Sequence, residues 1–165
     1  MVAMASKKSD KISISGLLKE KLINLELQEN DKKSIMIELV DLIARSKQLK
    51  NKKAFLKAMV EREKLGSTGI GGGLAIPHAK SDMVRDFTLI FGRKDSGIDF
   101  GALDGEKTYL FFALASPKNE VGGHLKILAD ISHLLKDKFI VELLKKAKNK
   151  KEILKIISDA TRSNG

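Results

Sequence analysis

The residues of this chain best suited to chemistry are histidines, of which there are three. His78 closes the stretch GGGLAIPHAK (71–80), directly behind Pro77 and downstream of three glycines. Proline fixes its own φ and pushes Ile76 toward an extended backbone, so the approach to His78 is stiff. Glycines upstream let the backbone come close to an anion and turn N–H groups toward it. A neutral imidazole nitrogen is a competent nucleophile near neutral pH. The same residues also suit an incidental histidine on a surface loop. His124 follows NEVGG and opens the helical segment HLKILADISHLLK. The positive end of a helix dipole disfavours protonation there and favours a phosphate, unless the ring simply faces solvent. His133 lies nine residues further on, about half a turn out of phase at ~100° per residue. If His124 faces a site, His133 faces away, into ordinary packing or the surface.

Other chemistries are excluded by what is missing. GGGLAIPHAK has no Gly-Lys-Ser/Thr after its glycines, so it is not a Walker loop. GIGGG has no clear strand before it and no helix after it, as a dinucleotide fingerprint requires. There are no cysteines, no HExxH and no close histidine pair, which argues against zinc. No GxSxG elbow is present for a serine hydrolase. Nothing calls for a metal or an organic cofactor. What remains is a histidine acting on, or carrying, an anion.

The elements that must position these residues are legible from periodicity. At 165 residues the chain is long enough for one domain with a real core. The lead-in MVAMASKKSDK (1–11) lacks the apolar centre of a secretory signal, and a single domain is expected over 12–165. ISISGLLKEKLINLEL reads as an alternating piece, a helical turn and a strand near Leu22 to Leu27. Asp31 is a helix N-cap before KKSIMIELVDLIARS, where Ile35, Leu39, Leu42 and Ile43 share a stripe. Asn51 caps a second helix that buries Phe55, Met59 and Val60 and stops at Gly66. FTLIFGRK and TYLFFALAS read as buried strands, with turn signals at Ser96-Gly97 and Asp104-Gly105 between them. From about Asn119 onward the pattern is helical, in two or three pieces. Strands bracketed by helices at both ends suggest an α/β sandwich, with a modest mixed sheet between helical layers.

The formal charge of +10 raises the question of nucleic acid. Its densest cluster, LLKDKFIVELLKKAKNKKEILKIISDA, alternates lysine with apolar residues at helical spacing, which is a solvated helix face. No aromatic platforms interleave with it, so nucleic-acid binding is not expected. No apolar run approaches the ~20 residues that cross a bilayer, so direct membrane insertion is not expected either.

One segment is more specific than any of these patterns. VEREKLGSTGIGGGLAIPHAK closely resembles the active-site segment of the enzyme IIA domains of the bacterial phosphotransferase system, in the fructose, mannitol and nitrogen-related branch. That family shows an Arg-Glu pair, a Ser/Thr, a glycine-rich stretch and an Ile/Val-Pro-His ending. HLKILADISHLL resembles its second histidine segment and NDKKSIMIELVDLI its first long helix, so the resemblance spans Ile12 to Ala160.

The resemblance implies a three-layer α/β/α sandwich around a mixed sheet. It implies that His78 is transiently phosphorylated by the phosphocarrier HPr and passes the group to an enzyme IIB. Arg62 then matches the family's active-site arginine, supplying a permanent cation, and His124 its second histidine, donating to a phosphoryl oxygen. Ser67 and Thr68 are expected to hydrogen-bond to the imidazole or the phosphate, with Gly73 in the supporting loop. Glu63 either orients His78 or Arg62 or forms a surface ion pair, and Lys80 adds local charge or simply faces solvent. The glycines are expected to keep the surface around His78 shallow for its partners. Ala79 stands where many relatives have glycine, which would strain the chain if that position needs φ > 0. Two roles fit: cytoplasmic carriage of phosphoryl groups for uptake of fructose- or mannitol-like sugars, or a nitrogen-related regulator signalling through its phosphorylation state. An anion-binding module with a silent histidine is a third.

Overall fold

The computed structural model describes residues 12–163; the lead-in expected over 1–11 lies outside them. The chain begins with a one-turn helix α1 (Ile14–Leu17) capped by Ser13, and a 3-10 turn (Glu20–Leu22). The strand expected near Leu22 to Leu27 is only two residues long, β1 (Ile23–Asn24). Beyond it the backbone turns away as Asn24 Oδ1 accepts from the N–H of Glu26, a side-chain bond that competes with a ladder. Helices α2 (Lys32–Ala44) and α3 (Lys52–Lys64) follow, with Asp31 accepting from Ser34 N and Asn51 from Ala54 N as the cap residues suggest. Phe55 and Met59 are buried as expected, while Val60 is only partly covered.

Next come β2 (Gly69–Gly71), β3 (Leu74–Ala75), β4 (His78–Ser81), β5 (Thr88–Ile98) and β6 (Thr108–Pro117). Helices α4 (Val121–Leu135), α5 (Lys138–Lys146) and α6 (Lys150–Ser163) end the described chain. Among the described residues no helix is long and apolar enough to cross a membrane. The charge cluster behaves as its spacing suggests: Lys136, Lys138, Lys146, Lys151 and Lys155 are exposed while Val141, Leu144, Ile153 and Ile157 are buried.

The six strands form one mixed sheet in the order β1-β5-β6-β3-β2, with β4 also paired to β6. β6 is antiparallel to β5 on one edge; on the other it takes β3 and then β4, both parallel. Pro77, which has no N–H to donate, sits between those two short strands, and its carbonyl still accepts from Leu114 N at 2.9 Å.

Side-chain alternation separates the two faces of the sheet. A Cβ at Gly92 would meet Leu27 and Leu39, so that face of β5 lies under α2. The next residue, Arg93, donates instead to the carbonyls of Leu144 and Ala147, on the face covered by α5. Helices α2 and α3 pack together on the first side; α1, α4, α5 and α6 pack against one another on the second. The result is a three-layer α/β/α sandwich. Each face has its own aromatic pair, Phe100–Phe111 under α2 and Phe91–Phe112 on the opposite side.

One expected turn is absent. Ser96-Gly97 does not reverse the chain but lies within β5, where the pairing with β6 shifts register between Arg93 and Ile98. Gly97 has φ +70°, and a Cβ there would sit 2.6 Å from the Tyr109 ring. The glycine marks a bulge, where backbone and side-chain room are both needed. The reversal comes later, at Asp104-Gly105, between β5 and β6.

Candidate active site

Strand register decides where His78 points. It is the first residue of β4, opposite Leu114 of β6, and therefore shares the face of Leu114 and Ser116, beneath α4. His124 comes down onto the same face from the first turns of α4. That helix sits very close: a Cβ at Gly123 would be 2.6 Å from the Phe87 ring, so only glycine lets the helix start lie against this ring. The two imidazoles end with centroids 5.4 Å apart and planes tilted by 55°. His78 is half-buried and His124 buried, while His133 is exposed on the far side of α4.

Each ring is held by its Nδ1. That of His78 lies 2.7 Å from the Ile76 carbonyl oxygen. A carbonyl only accepts, so Nδ1 carries the proton and Nε2 presents a lone pair. The Nδ1 of His124 lies 2.7 Å from Ser116 Oγ, a hydroxyl that can donate or accept.

Both rings are kept neutral. Burial lowers the pKa of His78; the Ile76 bond pulls it back, and the charges of Arg62 and Lys80 lower it further. His124 is lowered to about 4 by burial first, then by repulsion from His78 once that ring is protonated, and by the charges of Lys80 and Arg62. Unfolding restores an ordinary histidine, so the unfolded state binds the extra proton between about pH 6.5 and 4. Stability from His124 is therefore complete above that window and is lost as pH falls through it, by roughly 3 kcal/mol. Denaturant titrations at the two ends of the window check this. The difference should shrink markedly in His124→Gln, and an unchanged slope would contradict it.

Arg62 lies in the last turn of α3, where a cation is favoured by the helix dipole. Its Nη1 donates to the Gly66 carbonyl at 3.0 Å, holding the guanidinium over the turn into β2.

The other expected site residues are arranged differently. Glu63 touches neither His78 nor Arg62 among its hydrogen bonds and ion pairs; its nearly buried carboxylate pairs with Lys32 at 2.8 Å. The same carboxylate accepts from the N–H and the hydroxyl of Thr68, at 2.9 and 2.6 Å. Thr68 is thus committed to Glu63 and not to the imidazole. Ser67 Oγ accepts from Gly69 N and sits by the Phe100 carbonyl, shaping the turn. Gly73 belongs to a different place. With φ of +90°, +64° and +82°, Gly71, Gly72 and Gly73 form the tight turn between β2 and β3. The Gly73 carbonyl accepts from Tyr109 and Leu110, at the other end of β6 from His78, roughly 15 Å away at ~3.3 Å per residue. The glycines therefore do not surround His78. Exposed apolar side chains lie near the site residues in sequence instead: Leu65 three residues after Arg62, and Val121 and Leu125 on the helix that carries His124. Lys80 is exposed, and Ala79 lies inside β4 without positive φ, so it carries no strain.

Two site groups escape a reading of the sequence. Ser116 carried a faint signal, a hydroxyl at the end of an otherwise apolar strand. The Ile76 carbonyl carried none.

Comparison with known proteins bears on the family and the fold of the chain. The family described as phosphoenolpyruvate-dependent sugar phosphotransferase system, EIIA 2, matches residues 16–160. A Bacillus subtilis protein named PTS system fructose-specific EIIABC component is 33% identical over 147 residues, 89% of this chain but only 23% of that longer protein. A nitrogen regulatory protein of Bradyrhizobium diazoefficiens is 34% identical, covering 88% of this chain and 94% of the relative. The fructose-specific EIIA component of Haloferax volcanii is 33% identical over 91% of this chain and 97% of its own. In three dimensions the nitrogen regulatory protein IIA-Ntr of Neisseria meningitidis superposes with TM-score 0.82 at 33% identity, covering 87% and 98% of the two chains. The Escherichia coli IIA mannitol protein, solved in complex with phosphorylated enzyme IIB, superposes with TM-score 0.75 over 87% of this chain and 99% of that one. At 22% identity it speaks for the fold alone.

Proposed function

The chain belongs to the EIIA 2 family of the phosphoenolpyruvate-dependent sugar phosphotransferase system, and from that premise we propose that His78 Nε2 carries a phosphoryl group between two partner proteins. The observation that carries the proposal is the 2.7 Å bond between His78 Nδ1 and the Ile76 carbonyl, which leaves Nε2 unprotonated. In the reaction, the Nε2 lone pair attacks the phosphorus of a phosphorylated donor. A nitrogen–phosphorus bond forms as the donor's bond to phosphorus breaks, and the donor leaves with the electron pair. Nδ1 keeps its proton and its bond to Ile76 throughout, so no base is needed.

Phosphoryl transfer asks a protein mainly for alignment and for compensation of charge on the equatorial oxygens. Arg62 supplies a permanent cation with a fork of donors. With the Ser116 hydroxyl donating to its Nδ1, His124 holds its proton on Nε2 and donates it in a hydrogen bond to a phosphoryl oxygen. A neutral donor holds the group less tightly than a second cation would, which suits a carrier that must release it.

The donor in this reading is phospho-HPr and the acceptor an enzyme IIB for fructose- or mannitol-like sugars, with the exchange taking place in the cytoplasm. The Haloferax fructose-specific component, matched over 97% of its length, supports it. The second reading, a regulator that binds other proteins according to its phosphorylation state, is favoured by the Bradyrhizobium and Neisseria nitrogen regulatory proteins.

Intact mass after incubation with phosphoenolpyruvate, enzyme I and HPr tests the common core. An acid-labile gain of one phosphoryl group is expected, and its absence while HPr is itself phosphorylated would overturn the proposal. Loss of the group on adding a sugar-specific enzyme IIB selects transport. Retention, with capture of a partner by only one phosphorylation state, selects regulation.

A further inference from the structure

Helix α2 opens with Lys32 and Lys33 and has no acidic residue in its first turn. A cation at a helix N-terminus is opposed by the dipole, so Lys32 needs a reason to be there. Its ammonium crosses to α3 and lies 2.8 Å from Glu63 Oε1, with the Phe100 ring 4.6 Å beneath it. Only 7% of the Glu63 side chain is exposed.

From this ion pair a continuous line of bonds runs to the nucleophile. Glu63 holds Thr68 by its N–H and its hydroxyl. The Thr68 carbonyl accepts from Ile76 N at 2.9 Å. The Ile76 carbonyl accepts from His78 Nδ1 at 2.7 Å.

We propose that Lys32 and Glu63 are positioning residues for the phosphoryl carrier, holding the Thr68–Ile76 backbone so that the Ile76 carbonyl keeps the His78 proton on Nδ1. The proposal rests on the reading of His78 as the nucleophile. A histidine in water prefers its proton on Nε2, the nitrogen that must attack here, so the tautomer has to be imposed by the partner of the other nitrogen. Burial alone would push the Glu63 carboxyl up. The bonds from Lys32 and Thr68 outweigh it and hold the carboxyl below its usual range, so the clamp is charged at neutral pH. Neutralising Lys32 leaves the nearly buried Glu63 carboxylate without its cation, and neutralising Glu63 leaves the partly covered Lys32 ammonium without its anion; in either case the turn relaxes.

The test is the two-bond proton–nitrogen spectrum of protein labelled with ¹⁵N-histidine, at about pH 8, where the ring is neutral. In the wild type, His78 should carry its proton on Nδ1. In Glu63→Gln and Lys32→Met a substantial fraction should shift to Nε2, while Lys32→Arg keeps the wild-type pattern. Uptake from phospho-HPr should slow roughly ten- to a hundredfold in the first two, in kcat rather than KM. Should Glu63→Gln fail to fold, Lys32→Met and Thr68→Val carry the same comparison. A folded Lys32→Met or Thr68→Val with His78 still wholly protonated on Nδ1 would overturn the proposal. The spectrum needs no phosphoryl donor, so a wild type that takes up no phosphate sinks the carrier reading while the tautomer still decides the positioning role.

Discussion

His78→Ala is expected to abolish phosphoryl uptake, a loss on the order of 10⁴-fold or more, with the folded structure retained. No neighbour can take over as nucleophile. His124 is 4% exposed, its Nδ1 is engaged with Ser116 and its pKa of about 4 reflects a weakly basic ring. Ser81 Oγ is occupied by Met83 N, and Ser116, whose hydroxyl reaches His124 Nδ1, is fully buried and closed to a partner's phosphoryl group. His78 itself is half-buried at the head of β4 rather than in the core, and the β4 pairing with β6 runs through main-chain groups that alanine keeps. The variant should therefore melt within a few degrees of the wild type. Time-resolved intact mass gives the rate, and peptide mapping of any residual product gives its position. Residual phosphate on His124 at an appreciable rate would show that the assignment of nucleophile and supporting ring is reversed.

Arg62→Gln is expected to lower the transfer rate by about 10² to 10³, with Arg62→Lys intermediate because a point charge lacks the guanidinium fork. The substitution has a second, separable consequence. The Arg62 charge helps lower both histidine pKa values, so removing it should move both upward, and an NMR titration of the two rings reads this directly. For His78 the shift raises the protonated, non-nucleophilic fraction near neutral pH, so part of the rate should return as the assay pH is raised. The rest, due to lost charge compensation in the transition state, should not. Unchanged transfer with unchanged titration would reduce Arg62 to its bond with the Gly66 carbonyl, a cap on the end of α3.

Much of the scaffold could be read locally. The caps at Asp31 and Asn51, the buried stripes of α2 and α3 and the apolar runs of β5 and β6 each depend on residues close in sequence, and each is where its pattern places it. The histidine pair was legible through a motif and through the half-turn offset that sends His133 outward. Misreadings arose where partners are distant. The glycine trio looked like a loop around His78, because nothing in the sequence shows that 73–81 lies along β6 and carries the glycines to its other end. Thr68 and Ser67 looked available to a phosphate because their partners, Glu63 on a helix and Phe100 after a strand, are fixed only by tertiary packing. Nothing in the sequence singles out Lys32, whose partner Glu63 is brought to it only by packing of α2 on α3. β1 failed as a long strand because an Asx bond at Asn24 redirects the backbone, a choice that apolar alternation does not register.

The double pairing of β6 has a consequence for how the molecule breathes. With β5 on one edge and β3 and β4 on the other, its central amides are shielded on both sides, and they should exchange with deuterium only through global opening. The turn from α3 into β2, tied down by side chains, opens at lower cost. The bonds from Glu63 through Thr68 and Ile76 to His78 Nδ1 are thus expected to lie in a unit of lower local stability than β6, against which His78 sits. Since β4 joins β6 only by a parallel crossover from a remote part of the chain, the site should also be among the last features to form during refolding. A pulse-labelling experiment would then find β5 and β6 protected while the two imidazoles still titrate as in an unfolded chain.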